Sequence, residues 1–221
     1  MARPSRAPTP TFLTIKRAVD LTLSGFALAL LWPLMAIIGF AIKIESPGPM
    51  LFRQERLGKD GQPFTMLKFR SMRVGAEAEG VYVTKTDSRV TRVGAFIRKV
   101  SLDELPQLLN VWRGEMSIIG PRPTLTYHPW PLEEYSAEQK RRFEVRPGLS
   151  GWAQVNGRKT VEWTKRLEYD VEYVDRMSFT FDTRIILLTL FQVVSGRDNE
   201  NTTTTATRSD DHPPTSNGEE S

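Results

Sequence analysis

Hydrophobic positions along this chain fall into three patterns. The first is a run: Leu21 to Ile42 is 22 residues without a charge. As a helix rising about 1.5 Å per residue it measures about 33 Å, enough to cross a hydrocarbon core of about 30 Å. Phe12 to Asp20 reads as the start of that helix, and Glu45-Ser46-Pro47-Gly48-Pro49 ends it with turn residues. Pro33 lies near the middle, where proline removes a helical hydrogen bond, so a bend is expected at Trp32-Pro33. Arg3, Arg6, Lys16 and Arg17 before the run and Lys43, Arg53 and Arg56 after it fit a re-entrant hairpin with both ends cytoplasmic better than a single crossing. A kinked span stays open, because spanning helices tolerate proline.

The second pattern is short strands. Leu51 to Leu57 and Phe64 to Phe69 flank Gly58-Lys59-Asp60-Gly61 as a hairpin, and Met116 to Ile119 reads as a short buried strand. The third is helical spacing. Val93 to Lys99 predicts a short helix; Leu105, Leu108, Leu109 and Trp112 predict another with one buried apolar face. Pro131 to Phe143 reads as a polar helix, and Val161 to Asp175 as a helix with Trp163, Leu167, Val171 and Val174 on one side. Ile185 to Val194 is apolar but, at about 15 Å, too short to cross a bilayer. Ser71 to Ser88 lacks periodicity and reads as a mobile connection.

The expected fold class is therefore α+β, predominantly helical with a small β-hairpin element, behind an N-terminal Pro-kinked re-entrant membrane helix-hairpin. The expected domains are a disordered arm (1–11), the re-entrant membrane helix (12–45), a catalytic domain (46–196) and a disordered acidic tail (197–221).

Composition narrows the chemistry. The chain has no cysteine and two histidines, His128 and His212, which removes thiolate nucleophiles and the common zinc sites. Residues 1–196 carry 28 basic against 20 acidic side chains, while the tail is acidic, so the body is suited to a polyanionic partner. Nucleic acid is not expected, since no helix-turn-helix, zinc-finger or RNP-type pattern accompanies the charge.

The densest chemistry lies at Ser101-Leu102-Asp103-Glu104-Leu105-Pro106-Gln107. Ser101 and Glu104 have the spacing of a capping box; with Asp103 as cap instead, Pro106 falls at the third helical position, where it costs no hydrogen bond. Either way the helix start favours an ionised Asp103 or a phosphate beside it. The plainer reading is that Asp and Glu are good first-turn residues. Arg98 and Lys99 stand just before the acids. Gly120-Pro121-Arg122-Pro123 would stiffen the backbone around a guanidinium, or be an ordinary turn. Arg146 to Arg158 combines glycines, which allow close approach to a ligand, with arginines, which grip phosphate; the plainer alternative is a connecting loop.

Taken together, Lys16-Arg17 before the Pro-broken run, Phe52-Arg53-Gln54-Glu55-Arg56-Leu57-Gly58, Lys68-Phe69-Arg70-Ser71-Met72, the Asp103-Glu104 segment, Gly120-Pro121-Arg122-Pro123 and Arg146-Pro147-Gly148 through Arg158 resemble the bacterial sugar transferases, the small monotopic phosphoglycosyl transferases. The resemblance covers roughly residues 12–196. It implies transfer of a sugar 1-phosphate from a UDP-sugar to a polyprenol (undecaprenyl) phosphate, releasing UMP, in two steps through a phosphosugar on an aspartate, with magnesium as cofactor. Mapped by motif, Asp103 is the nucleophile and a magnesium ligand, and Glu104 is its partner. Lys68 supports the pair, Arg98 holds the polyprenol phosphate, Arg122 grips the nucleotide, and Gln154 and Arg158 help close the donor site. Pro33 is the hairpin vertex, although Trp32 stands where the family often has serine. A carboxylate needs no deprotonation at neutral pH to act as a nucleophile, which suits a chain without cysteine.

The resemblance further implies a monotopic protein of the bacterial inner membrane with its catalytic domain on the cytoplasmic face, a minimal unit without the extra membrane helices of larger relatives. Expected partners are the UDP-sugar, polyprenol phosphate and membrane lipid, with a homodimer kept open. The expected role is the first membrane step of exopolysaccharide, capsule, O-antigen or glycoprotein glycan assembly. The alternatives are a catalytically silent membrane scaffold or regulator of such assembly, and a basic lipid or nucleic-acid binder.

Overall fold

A computed structural model describes residues 8–76, 87–156 and 162–195. Along these the elements are α1 (Pro10–Glu45), β1 (Leu51–Leu57), β2 (Pro63–Phe69), α2 (Arg92–Lys99), α3 (Gln107–Arg113), β3 (Ser117–Ile119), α4 (Ala137–Lys140), β4 (Gly148–Ser150), α5 (Trp152–Val155), α6 (Trp163–Arg176) and α7 (Phe179–Val194). The fold is mostly helical with a small antiparallel sheet. Of the expected arm (1–11), residues 1–7 lie outside the described residues and Pro10 and Thr11 already belong to α1; the expected tail (197–221) and the middle of the Ser71–Ser88 connection also lie outside them.

Helix α1 starts where Thr9 accepts a bond from Phe12 N and Pro10 occupies the first turn, a position at which its missing N–H costs nothing. It then continues through Pro33 to Glu45 as one 36-residue helix, long and apolar enough to cross a membrane by length and composition. Its amphipathicity is inverted. Lys16, Asp20 and Ser24, at i, i+4 and i+8, are buried, while Phe26, Leu30, Ile37, Phe40 and Ile44 are exposed. The polar stripe docks on the protein: Lys16 Nζ pairs with Asp182 Oδ2 at 2.6 Å, and Asp20 Oδ1 accepts from Ile118 N at 3.0 Å. At the other end Ile38 and Ile42 pack with Phe69 and Ile97. Both ends of α1 are thus tied to the same body.

β1 and β2 pair antiparallel from Leu51↔Phe69 to Leu57↔Pro63, turning at Asp60, whose φ of 56° is one that Asp tolerates better than most residues. A second, parallel pair, β3 with β4, was not expected. Here Gly148 and Gly151 serve backbone packing: a Cβ on Gly148 would lie 2.1 Å from Gly120 N, and one on Gly151 2.1 Å from Gly120 O. The main core joins this pair to α5, α6 and α7 through Ile119, Val145, Trp152, Tyr173, Val174, Phe181 and Ile185. One side of α7 enters that core, and Leu187, Leu190 and Phe191 stay exposed.

Three local expectations change. Pro131–Phe143 is not one helix but a 3₁₀ turn, then α4, then a second 3₁₀ turn; the Ser136/Gln139 capping box starts α4 afresh once Tyr135 has been buried. The Ser101/Glu104 capping box is not formed, and Asp103 is not a cap: Ser101 is left-handed at φ 58°, residues 102–104 make a 3₁₀ turn, and α3 begins after Pro106 with no side-chain cap. Finally, α3 buries Gln107 and Asn110 along with Leu108 and Val111, leaving Trp112 half exposed. Asn110 explains this: its Oδ1 accepts from Leu67 N at 3.0 Å and its Nδ2 donates to Thr65 O at 2.8 Å, so the helix faces the edge of β2 and satisfies it.

Candidate active site

The bonds from Asn110 register α3 against β2, and that register carries Lys68 to the acid pair. Lys68 Nζ lies 2.7 Å from Glu104 Oε1, which also accepts from Arg122 Nη2 at 3.0 Å. Left-handed Ser101 reverses the chain after α2 and presents the Leu102–Glu104 turn to these cations. On the opposite wall the Pro121-Arg122-Pro123 turn is held by three consecutive carbonyls. Pro121 O accepts from Gly148 N at 2.8 Å, Arg122 O from Arg142 Nη2 at 2.7 Å, and Pro123 O from Arg56 Nη1 at 3.2 Å. Arg142 is itself buried against Asp170, with Nη2–Oδ2 at 2.7 Å. The rigidity expected of the two prolines therefore has further supports in β1, β4 and α6.

The two acids stand in different electrostatic states. For Glu104, burial favours the neutral form, but the charges and hydrogen bonds of Lys68 and Arg122 outweigh it and hold the carboxyl well below its usual range. For Asp103, burial dominates and Glu104 adds repulsion, so its pKa rises even though Lys68, Arg98 and Arg122 pull it down. Glu104 raises Arg122 in turn. Among the described residues no hydrogen bond or ion pair engages the Asp103 carboxylate. Glu104 is held as an anion between two cations, whereas the Asp103 carboxylate is unengaged.

The expected residues divide accordingly. Lys68, Glu104 and Arg122 meet directly, and Asp103 adjoins them; Arg98 lies within electrostatic reach of Asp103. Gln154 bonds instead to Leu149 O at 3.1 Å, Arg158 lies outside the described residues, and Pro33 is inside the unbroken α1. Other cations were missed. Arg56 is depressed to about 10 by burial and by Arg122, and Arg166 is lowered for the same two reasons, so both stand near the Arg122 guanidinium. Asp170 had a signal: it lies on the stripe of Leu167, Val171 and Val174, and an acid on an apolar stripe implies a buried cation.

For magnesium, no cluster of three acidic or histidine ligands exists among the described residues. That does not exclude an ion that keeps waters and shares one carboxylate with substrate phosphates, the usual mode for magnesium. The unengaged Asp103 carboxylate fits that role, whereas Glu104 is already committed to two cations.

Residues 11–196 match the family model described as bacterial sugar transferase. The chain belongs to that family. Among similar family members is an Escherichia coli (strain K12) protein named UDP-glucose:undecaprenyl-phosphate glucose-1-phosphate transferase, 45% identical over 184 residues, 80% of this chain and 40% of that protein. One of the same name from Xanthomonas campestris pv. campestris is 46% identical over 191 residues, 83% of this chain and 39% of its own. The match thus spans about two fifths of these relatives. A Bacillus subtilis (strain 168) protein named Uncharacterized sugar transferase EpsL is 41% identical over 182 residues, covering 82% of this chain and 88% of its own.

Proposed function

We propose that this protein transfers a sugar 1-phosphate from a UDP-sugar to undecaprenyl or another polyprenol phosphate at the cytoplasmic face of the bacterial inner membrane. The observation that carries the reading is the division of labour between Asp103 and Glu104: among the described residues one carboxylate has no hydrogen-bond or ion-pair partner, and the other is locked between Lys68 and Arg122. The names of the similar proteins supply the donor and acceptor classes.

In the first step an Asp103 oxygen attacks the phosphorus that bears the sugar. The bond from that phosphorus to the bridging oxygen breaks, and UMP leaves with the electron pair, giving a phosphosugar on Asp103. Arg122, with Arg56 and Arg166 nearby, offers positive charge where the diphosphate would lie. A bound magnesium, held by Asp103 together with the diphosphate, would neutralise charge on the leaving phosphate. In the second step a phosphate oxygen of the polyprenol phosphate, drawn by Arg98, attacks the same phosphorus and releases the Asp103 carboxylate. Glu104, held anionic, keeps Lys68 and Arg122 in place throughout.

The re-entrant membrane reading belongs to this proposal. Lys16, Arg17 and Asp20 at one end of α1 and Glu45 at the other all bond to the one catalytic body, while Phe26, Leu30, Trp32, Ile37 and Phe40 between them are exposed. A straight span would separate those ends by a hydrocarbon core of about 30 Å. An immersed α1 brings the lipid phosphate to the level of Arg98.

The test is the full chain in phospholipid nanodiscs with magnesium, radiolabelled UDP-sugars headed by UDP-glucose, and undecaprenyl phosphate. The expected result is UMP release matched by a lipid-linked diphosphate sugar, and the panel also identifies the sugar. A protein that binds the membrane but yields no lipid-linked product from any donor is the silent scaffold instead.

A further inference from the structure

The two ends of α1 do more than anchor it. Glu45 lies at its C-terminal end, and its carboxylate accepts from Arg92 N at 2.6 Å and from Val93 N at 2.9 Å, the first two amides of α2. These are amides that a helix start leaves without internal partners. Arg17 lies at the other end, where its guanidinium donates to Val111 O at 2.6 Å and Trp112 O at 2.7 Å, among the last carbonyls of α3. The last four carbonyls of a helix lack an i+4 amide within it, and of these two, Val111 O also takes the cap amide of Gly114 at 3.0 Å. One helix therefore caps the start of α2 and the end of α3.

Everything the reaction needs from this part of the chain lies between the two caps. Arg98 is on the last turn of α2, and Asp103 and Glu104 are on the turn between the helices. Ile38 and Ile42 of α1 also pack among Ile97, Leu102 and Leu105, the apolar neighbours of these residues. α2 has little freedom of its own: a Cβ on Gly94 would lie 2.0 Å from Ser71 O, and Thr91 N donates to that same carbonyl at 3.1 Å.

We propose that Glu45 and Arg17 are positioning residues through which the membrane helix clamps the outer ends of the α2–α3 unit, fixing Arg98 relative to Asp103. The inference rests on the reading of Arg98 as the polyprenol-phosphate ligand given above. It makes seating of α1 in the bilayer and alignment of the site a single event.

The test is a double-mutant cycle in nanodiscs with each substrate varied. Glu45→Ala raises KM for undecaprenyl phosphate about tenfold, with KM for the UDP-sugar changed by less than about twofold. In an Arg98→Ala background Glu45→Ala has no further effect, because the residue it acts through is gone. Arg17→Ala lowers kcat about tenfold while membrane association persists. Should Glu45→Ala fail to fold, Glu45→Gln, which keeps one acceptor oxygen, replaces it in the cycle. Full additivity with Arg98→Ala, or wild-type kinetics in both single variants, overturns the inference. Hydrogen exchange reads the clamp without turnover: Glu45→Ala speeds exchange over 92–105 and leaves Phe179–Val194 unchanged. Unchanged protection over 92–105 overturns the clamp even if the chain transfers no sugar, whereas an inactive wild type with an intact clamp removes only the parent reading.

Discussion

Lys68 Nζ lies 2.7 Å from Glu104 Oε1 across 36 residues of sequence, while among the described residues the neighbouring Asp103 carboxylate has no such partner. Two adjacent acids thus differ because of what faces them. A nucleophile needs an unengaged lone pair, and a carboxylate shared between an ammonium and a guanidinium has little nucleophilicity left.

Replacing Asp103 by Asn is therefore expected to abolish the first step. UMP release should fall by at least about a thousandfold with membrane association intact. Glu104→Gln should instead leave a measurable rate, since it loosens Lys68 and Arg122 without removing the attacking group. Transfer assays and membrane flotation on the two variants check this, and wild-type turnover in Asp103→Asn rejects Asp103 as the nucleophile.

The pH profile follows from the same asymmetry. Asp103 must be ionised to attack, and burial with repulsion from Glu104 raises its pKa above the ordinary 3.8. Activity is then lost on acidification at a higher pH than an exposed aspartate would give. Lys68 opposes that rise, so Lys68→Met should move the acid limb of kcat/KM further up. A limb that stays put, or moves down, would show that some other group controls it.

How much of this was legible in the sequence depends on what kind of signal each part carries. The β1–β2 hairpin, α2 and α6 were readable because local periodicity and turn residues specify them, as at Gly58–Gly61. The parallel β3–β4 pair was not: each strand is three residues long, and the pair depends on Gly120 meeting Gly148 and Gly151 across the fold. α3 was misread because its apolar spacing favoured Trp112 as core, while Asn110 is buried to satisfy the edge of β2. The motif residues Lys68, Glu104 and Arg122 were identifiable one at a time. Nothing local could show that Glu104 holds both cations, or that Arg56 and Arg142 hold the turn behind Arg122.

Topology can be tested directly because the chain contains no cysteine. Thr9 precedes α1, and Lys59 lies on the hairpin loop after it; both are exposed. Thr9→Cys and Lys59→Cys should label alike with a membrane-impermeant maleimide, protected in intact cells and reactive in inverted vesicles. Opposite accessibility would reject the re-entrant helix and make α1 a kinked span.

Arg142 and Asp170 separate stability from positioning. They form a salt bridge in which both side chains are at most 3% exposed, and Arg142 also donates to Arg122 O. Asp170→Ala strands a buried guanidinium and should cost about 3–5 kcal/mol in urea unfolding. The paired change Arg142→Met with Asp170→Leu removes both charges, and an apolar pair of similar size should recover most of that loss. It cannot recover the bond to Arg122 O, so the Pro-Arg-Pro turn keeps only its Gly148 and Arg56 supports. A displacement of Arg122 of about 1 Å would lower kcat by up to about a hundredfold. Stability restored without activity is therefore the expected outcome, and restoration of both would show that Gly148 and Arg56 suffice to place Arg122.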